Sequence, residues 1–153
     1  MSDVQRADRV YAQLLTRQGE QWVQPRVERT RRVLELMDDP HKTYRVIHLT
    51  GTNGKTSTAR MIESLLRAMG LRTGLFTSPH LVRFTERLMV DGEPADDGAV
   101  ADAWEEIEPF VDLVDAELAA AGDAPLTFFE LLTVLAFVVF ADAPVDVAVI
   151  EVG

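Results

Sequence analysis

The sequence predicts an α/β protein whose strands form a parallel sheet. Apolar, β-branched runs of strand length alternate with segments in which apolar residues recur every three or four positions, as in amphipathic helices. A glycine-rich turn joins the first of these strands to the helix that follows it. Alternation of this kind is typical of βαβ units, in which the connected strands run parallel.

The composition is that of an ordinary soluble globular protein. The chain has 153 residues, of which 47% are hydrophobic and 26% charged, which is enough for one domain with a sizeable core. The absence of cysteine excludes disulfides and thiolate metal sites. Met1–Glu20 carries charges throughout and lacks a signal-peptide core, and the longest apolar run, Val134–Ala141, is too short to span a bilayer. We therefore expect a cytoplasmic protein without a membrane partner.

Charge is distributed unevenly along the chain. All 15 Lys and Arg residues lie in residues 1–90, whereas residues 91–153 contain 16 acids and no base. One interpretation places a polyanionic ligand near the basic half; the other treats the acids between Asp96 and Glu117 as the solvated face of a helix. No basic stripe with interleaved aromatic residues occurs, so we expect no nucleic-acid partner.

Two helices are predicted before the first strand. The first presents one apolar face and ends near Gly19, and the second follows Pro25 and stops at Asp38. Neither helix carries residues of obvious chemistry. We expect residues 1–43 to be a helical lead-in and residues 44–153 to be the core of the domain.

The core begins with a predicted βαβ unit. Its strands are Tyr44–Thr50 and Leu71–Thr77, and its helix is Ser57–Met69. The helical spacing predicts that this helix buries four residues: Ile62, Leu65, Leu66 and Met69.

The second half of the chain adds two helices and a last strand. A long irregular segment, Ser78–Asp97, contains a short predicted strand at Arg87–Val90. Helices are predicted at Gly98–Ala120 and at Thr127–Phe140, the latter apolar nearly all round, and a buried strand at Val145–Val152. The inner stripe of the first of these helices is Val100, Trp104, Ile107, Val111, Val114 and Leu118.

The sequence stops at Gly153, directly after the third predicted parallel strand. Three parallel strands make a small sheet, and no covering helix follows the last of them. We therefore expect the chain to be a fragment of a longer protein, truncated after this strand.

The glycine-rich turn has the properties of a phosphate-binding loop. Glycines allow successive N–H groups to face an anion, the helix that follows adds its positive end, and Lys55 supplies a mobile charge. Leu49 occupies the position where the standard pattern has its first glycine, so the loop is a shortened form. The alternative is an ordinary glycine turn before a helix. The sequence thus predicts a P-loop NTPase-like fold with nucleotide-binding residues Gly51, Thr52, Asn53, Gly54, Lys55, Thr56 and Ser57.

Several further positions allow both a structural and a functional interpretation. Ser78, followed by proline, suits a helix N-cap, and Thr127-Phe128-Phe129-Glu130 suits a capping box before an apolar helix. Glu151 lies near the carboxyl end of a buried strand, where open α/β sheets bind ligands, so Mg²⁺ is its natural partner unless the side chain is exposed. Arg83 and Arg87 are candidates for contacts with phosphate or carboxylate, or for surface ion pairs.

Five motifs in this order resemble folylpolyglutamate synthase and dihydrofolate synthase, within the Mur ligase superfamily. They are His48-Leu-Thr-Gly-Thr-Asn-Gly-Lys-Thr-Ser57, Thr77-Ser-Pro-His-Leu81, Phe84-Thr-Glu-Arg87, Thr127-Phe-Phe-Glu-Leu-Leu-Thr133 and Val149-Ile-Glu-Val-Gly153. The similarity covers essentially the whole chain. In that family the ATPase domain, which is the Mur ligase central domain, continues beyond the point that corresponds to residue 153, and a C-terminal domain follows.

The resemblance implies an ATP-dependent ligase that adds L-glutamate to folate or dihydropteroate. ATP and Mg²⁺ are the implied cofactors, and phosphoryl transfer to the substrate carboxylate gives an acyl phosphate that the amine of glutamate attacks. Lys55 is the implied catalytic residue. The implied metal-binding residues are Ser78, Glu151 and Thr56, and the implied substrate-binding residues are Thr127, Phe128, Phe129 and Glu130.

One departure from the family pattern concerns the residue after the loop lysine. Folate ligases often have glycine there, whereas this chain has Thr56 and then Ser57. Which hydroxyl meets the metal therefore stays open. Another Mur-type amide ligase and a nucleotide-binding module without turnover of its own are the alternatives, and we expect residues 1–153 alone to be inactive as a ligase.

Overall fold

A computed structural model describes residues 1–19, 26–51 and 53–151 of the chain. The helices are α1 (Asp3–Leu15), α2 (Val27–Leu36), α3 (Lys55–Ala68), α4 (Asp97–Ala120) and α5 (Phe128–Asp142). The strands are β1 (Arg45–Leu49), β2 (Thr73–Phe76), β3 (Leu88–Val90), β4 (Glu93–Pro94) and β5 (Val147–Glu151). The α/β class is confirmed, and each predicted helix and strand is present with its ends shifted by a few residues. Val152 and Gly153, at the end of the last predicted strand, lie outside the described residues.

The chain forms two compact units. The helical unit consists of Met1–Pro40 and Asp97–Val138, and the sheet unit consists of His41–Asp96 and Val139–Gly153. Among the described residues, no helix is both long enough and apolar enough to cross a bilayer.

In the helical unit, α1 and α2 pack against α4. A capping box starts α1, because Ser2 Oγ accepts the N–H of Gln5 and the Gln5 side chain accepts the N–H of Ser2. The buried faces consist of Ala7, Val10 and Leu14 on α1 and of Val100, Trp104, Ile107, Val111 and Val114 on α4. The predicted stripe of α4 is thus confirmed except at Leu118, which is only half-buried.

The acidic residues of α4 are not simply a solvated face. Arg6 forms ion pairs with Asp102 and Glu105, at 2.6 and 2.8 Å. Arg32 of α2 pairs in the same way with Glu117, at 2.9 Å. Arginines of the first two helices therefore form ion pairs with acidic residues of α4 within this unit.

In the sheet unit, five strands occur in the order β1-β5-β2-β3-β4. The first three of these are mutually parallel, while β3 runs antiparallel to β2, and β4 antiparallel to β3. The last strand in the sequence, β5, is buried along its whole length between β1 and β2. The two strands of the predicted βαβ unit are parallel, as expected, but they are not neighbours.

The predicted inner face of α3 is wrong in part. Ile62 and Leu66 pack on the core as expected. Leu65 and Met69 are instead 66% and 76% exposed. The centre of the packed face is formed by Ala59 and by a charged residue, Glu63.

Glu63 is buried because it has partners. Its Oε1 accepts hydrogen bonds from Thr73 Oγ1 of β2 at 2.8 Å and from Arg67 Nε at 2.9 Å. A buried carboxylate is tolerated when it is hydrogen-bonded and paired in this way. Glu63 thus occupies the packed face of α3, while part of the apolar surface of the helix points outward.

Gly74 in β2 is required by close packing. A Cβ at this position would lie 2.8 Å from the ring of Phe140. The Phe140 ring also meets the ring of Tyr44 edge-on, with 6.3 Å between the ring centres. The end of α5 therefore lies directly on the backbone of the sheet.

Candidate functional site

The glycine loop lies between the carboxyl end of β1 and the start of α3. Gly51 and Gly54 have φ angles of +139° and +72°, which side-chain-bearing residues rarely adopt. Gly54 is the N-cap residue of α3 and has no side chain with which to cap the helix. The first N–H groups of a helix have no acceptor within the helix, so they are available to an anion in front of the loop. Thr52, the remaining predicted loop residue before Asn53, lies outside the described residues.

The hydroxyl and lysine side chains of the loop differ in exposure. Lys55 and Thr56 are half-buried, whereas Asn53 and Ser57 are exposed. The stem of Lys55 lies against the loop, since a Cβ added to Gly51 would stand 3.8 Å from Lys55 Cγ. Thr56 therefore faces the protein, and Ser57 faces solvent.

Thr56 and Glu151 are in direct contact. The Thr56 hydroxyl donates a hydrogen bond to Glu151 Oε1 at 2.7 Å. Glu151 is 5% exposed, so the alternative of an exposed strand-end acid is wrong. Its other oxygen, Oε2, is buried and has no hydrogen-bond partner among the described residues. A buried carboxylate oxygen of this kind is usually satisfied by a hydrogen-bond donor, an ordered water or a cation.

The donor set around Glu151 suits Mg²⁺ better than a transition metal. Among residues 1–19, 26–51 and 53–151, no group of three or more His, Cys, Asp or Glu residues could hold a metal. Mg²⁺ does not need such a cluster, because it binds oxygen ligands, often one or two carboxylates together with phosphates and water. One carboxylate beside a hydroxyl and a glycine loop fits that preference.

Ser78 lies at the same edge of the sheet. It follows β2, whose neighbour β5 carries Glu151 near its own carboxyl end. Because β1, β5 and β2 are parallel, the glycine loop, Glu151 and Ser78 all come at the carboxyl ends of their strands. Ser78 is not a helix N-cap, since no helix begins after it. The chain continues instead into a loop and a short 3₁₀ turn, Phe84–Arg87.

The loop after Ser78 has its own hydrogen bonds. Glu86 accepts the N–H groups of Leu81 and Val82, at 2.9 and 3.2 Å from Oε1, and these bonds hold the pKa of the Glu86 carboxyl below its usual value. Arg87 is 6% exposed and donates from Nε to His80 Nδ1 at 2.8 Å. The interpretation of Arg87 as a surface ion-pairing residue is therefore wrong.

The other predicted binding segment, Thr127-Phe128-Phe129-Glu130, belongs to the helical unit. Thr127 Oγ1 accepts the N–H of Glu130 at 3.3 Å, so the capping interaction is present. Phe128 is buried and meets the ring of Tyr11 edge-on. Phe129 is half-buried and keeps part of its surface exposed. Of the two rings, Phe129 is therefore the one with surface left for a flat ligand.

Sequence analysis missed the residue that contacts Glu130 from α2. Arg29 is 5% exposed, and its Nε lies 3.3 Å from Glu130 Oε2. Burial raises the pKa of the Glu130 carboxyl, and the charge of Arg29 opposes that rise. The available signal was its spacing, because Arg29 lies one turn before the buried Val33 on the same face of α2.

These features define the chain as an α/β domain with a glycine loop at the carboxyl edge of a parallel sheet. Comparison with known proteins agrees, since the model of the Mur ligase middle domain matches residues 49–90. The dihydrofolate synthase/folylpolyglutamate synthase of Mycobacterium tuberculosis is 45% identical over 134 residues, which cover 86% of this chain and 28% of that protein.

Solved structures agree with this assignment. The Mycobacterium tuberculosis folylpolyglutamate synthase complexed with ADP and AMPPCP superposes with a TM-score of 0.89 at 41% identity, covering 99% of this chain and 32% of that one. An FPGS–AMPPCP–folate complex superposes with a TM-score of 0.84 at 35% identity, covering 100% of this chain and 35% of that one. The chain belongs to the folylpolyglutamate synthase/dihydrofolate synthase family of the Mur ligase superfamily. It spans about a third of the length of these relatives.

Proposed function

We propose that this chain is the N-terminal, nucleotide-binding part of an ATP-dependent ligase that adds L-glutamate to folate or dihydropteroate. The reaction is phosphoryl transfer from ATP to the carboxylate of the acceptor, followed by attack of the glutamate amine on the acyl phosphate. Relatives that are similar over most of the chain carry the corresponding names, and one similar structure is a complex with AMPPCP and folate. We propose a cytoplasmic enzyme without nucleic-acid or membrane partners.

The contact between Thr56 and Glu151 carries the proposal. It joins the first turn of α3, the helix after the glycine loop, to the end of β5 through a 2.7 Å hydrogen bond. The second oxygen of Glu151 is left buried without a hydrogen-bond partner among the described residues. An ordinary glycine turn needs no such carboxylate, whereas a nucleotide site that uses a divalent cation does.

The proposed nucleotide site divides its tasks among few residues. The loop residues Gly51, Thr52, Asn53 and Gly54 offer backbone N–H groups to phosphate, and Lys55 neutralises charge on the outer phosphates. Thr56, Glu151 and Ser78 would hold Mg²⁺, with Ser57 as the alternative hydroxyl. When bound, Mg²⁺ supplies charge neutralisation and orientation of the phosphates. The protein contributes position and electrostatics rather than a nucleophile.

The proposed acceptor site is the start of α5. Phe129 offers an aromatic face on which a flat heteroaromatic ring can stack, and Glu130 offers carboxylate oxygens to the N–H donors of such a ring. Thr127 fixes the start of the helix by capping it at 3.3 Å. Phe128 supports the segment from inside through Tyr11, so we assign it to positioning within this site.

Glutamate incorporation by the full-length protein tests the proposal. The purified protein is incubated with ATP, Mg²⁺, labelled glutamate and either dihydropteroate or a reduced folate, and the labelled product is measured. We expect product with at least one acceptor. In the Glu151→Gln variant we expect turnover at a fixed Mg²⁺ concentration to fall about 10- to 100-fold, because one metal ligand is weakened.

The matched control is Asp142→Asn, which makes the same chemical change on an exposed residue of the sheet unit. This control is expected to retain the wild-type rate. No glutamate transfer to either acceptor would contradict the proposed reaction. Wild-type turnover and an unchanged Mg²⁺ requirement in Glu151→Gln would contradict the proposed metal site.

A further inference from the structure

Arg29 is a buried guanidinium in the first turn of α2, and nothing in the sequence motifs assigns it a role. We propose that Arg29 is a positioning residue of the acceptor site, which fixes the chain leading into α5 and keeps Glu130 in its charged form. This proposal rests on the proposed function, because it assumes that Glu130 accepts hydrogen bonds from the acceptor ring.

Arg29 holds the backbone immediately before the substrate-binding segment. Its Nη2 donates to the carbonyl oxygen of Ala124 at 2.6 Å and to that of Pro125. Both carbonyl groups lie just ahead of Leu126, which is buried. One rigid, planar side chain thus restrains two successive peptide groups, and hydrogen bonds made by a charged donor are stronger than neutral ones. The start of α5 is therefore tied to α2.

The same side chain faces the carboxylate of Glu130. Nε of Arg29 lies 3.3 Å from Glu130 Oε2, and the two side chains are 5% and 15% exposed. Removing one partner of a pair this well buried leaves an uncompensated charge on the other. Glu130 Oε2 has no hydrogen-bond partner among the described residues, so it keeps lone pairs for a donor from a ligand.

The other charged groups around this segment are already paired. Arg26 forms an ion pair with Asp123, and Arg17 pairs with Asp115 of α4 at 2.6 Å. Arg26 also acts on Glu130, but its effect on the pKa of that carboxyl is smaller than that of Arg29. Arg29 is therefore the main charge that opposes the effect of burial on Glu130.

The sign of the expected pH effect follows from these contacts. Burial raises the pKa of Glu130, and Arg29 counteracts the rise. Without the positive charge the pKa rises further, so Glu130 takes up a proton at a higher pH, loses its charge and becomes a weaker acceptor for the N–H donors of the ligand. The acidic limb of the pH profile of kcat/KM for the acceptor then moves to higher pH.

Two substitutions in the full-length enzyme separate charge from shape. Arg29→Gln keeps a donor for a backbone carbonyl but removes the charge, whereas Arg29→Lys keeps the charge but loses the planar fork. We expect Arg29→Gln to raise the KM for the acceptor about 10-fold. This factor corresponds to the loss of one hydrogen bond between the acceptor ring and the charged carboxylate of Glu130. In this variant the acidic limb of the pH profile of kcat/KM for the acceptor moves up by about one pH unit, while the KM for ATP stays within about twofold of the wild-type value. Arg29→Lys leaves the acidic limb where it is.

Arg32→Gln is the matched control, because Arg32 lies on the same helix and pairs with Glu117 at the surface. It is expected to leave both KM values and the pH profile unchanged. An Arg29→Gln enzyme with the wild-type acceptor KM and the wild-type acidic limb would overturn the proposal.

Circular dichroism and thermal unfolding report whether each variant is folded. If Arg29→Gln is not folded, Glu130→Gln decides the question: it should abolish the acidic limb and raise the acceptor KM, and an unchanged limb overturns the proposal. A wild-type enzyme that shows no acceptor-dependent turnover would contradict the proposed function itself, and the role of Arg29 would fall with it.

Discussion

Replacing Thr56 by valine removes one hydroxyl group and keeps the branched shape of the side chain. The hydroxyl donates to Glu151 Oε1 at 2.7 Å, across 95 residues of sequence. Valine cannot donate, so both oxygens of Glu151 are then left without a hydrogen bond from the described residues. The substitution therefore tests the hydrogen bond that links the helix after the glycine loop to β5.

The size of the effect follows from the burial of Glu151. A hydrogen bond to a charged group contributes about 1.5 to 3 kcal/mol, and its loss costs most when water cannot replace it. Glu151 is 5% exposed, which leaves little access for water. We therefore expect Thr56→Val to lower the free energy of unfolding by about 2 to 3 kcal/mol in the absence of ligand. Weakening one oxygen ligand of Mg²⁺ is expected to reduce the affinity for Mg²⁺-nucleotide about 10- to 100-fold.

Urea unfolding and calorimetric titration with a non-hydrolysable ATP analogue measure the two quantities separately. The titration is done with and without Mg²⁺, and only the value with Mg²⁺ is expected to change strongly. Ser57→Ala is the matched comparison, because it removes the neighbouring hydroxyl, which is exposed. Its effect on the free energy of unfolding is expected to stay within about 0.5 kcal/mol.

The comparison also decides which hydroxyl meets the metal. Wild-type stability together with wild-type Mg²⁺-nucleotide affinity in Thr56→Val would refute the reasoning. So would a larger loss of Mg²⁺-dependent affinity in Ser57→Ala than in Thr56→Val, because the exposed hydroxyl would then be the ligand.

Three further outcomes can be measured. Gly74→Ala places a methyl group 2.8 Å from the ring of Phe140 and is expected to lower the free energy of unfolding in urea by about 1 to 3 kcal/mol; an unchanged value would contradict the close packing. Thr73→Val removes a donor from the buried Glu63 and is expected to cost about 1 to 3 kcal/mol in the same assay, whereas a neutral result would count against the network. The pKa of Glu86 is lowered by backbone N–H groups, so its anchoring of the loop persists above the ordinary carboxyl pKa and is lost as pH falls through the lowered value. The protection of those N–H groups, measured as their hydrogen-exchange rate relative to the intrinsic rate at the same pH, should fall over that acidic range in the wild type, and Glu86→Gln should remove this change in protection.

Local signals in the sequence predicted most of the fold. The parallel strands β1 and β5 are short runs rich in β-branched residues, and the glycine loop is a local pattern between a strand and a helix. The burial of Glu151 was predictable because it lies near the end of such a strand. The apolar content that identifies a buried strand is read from neighbouring residues alone. The contact with Thr56 did not follow in the same way, since the two residues are far apart in sequence.

Long-range contacts explain what the sequence did not predict. Leu65 and Met69 belong to the helical stripe of α3, but they are exposed, and the packed face of the helix includes Glu63, which is hydrogen-bonded to Thr73 of β2. Arg29 was not recognised because its partners lie about 95 to 101 residues away, beyond the reach of any periodicity. Each case is a buried charge whose partners come from another element, and hydropathy patterns treat such a residue as exposed.

The position of β5 has a consequence for how the protein is made. This strand is the last described element of the chain, yet it hydrogen-bonds to both β1 and β2 and carries the partner of Thr56. During synthesis, about 70 to 100 further residues must therefore be added after β1 and β2 before β5, the strand that joins them, is available. Pairing at such separations is slow because the connecting chain must be ordered first. The carboxylate of Glu151 is made only with β5, so its contact with Thr56 in the proposed nucleotide site can form only once β5 has joined β1 to β2.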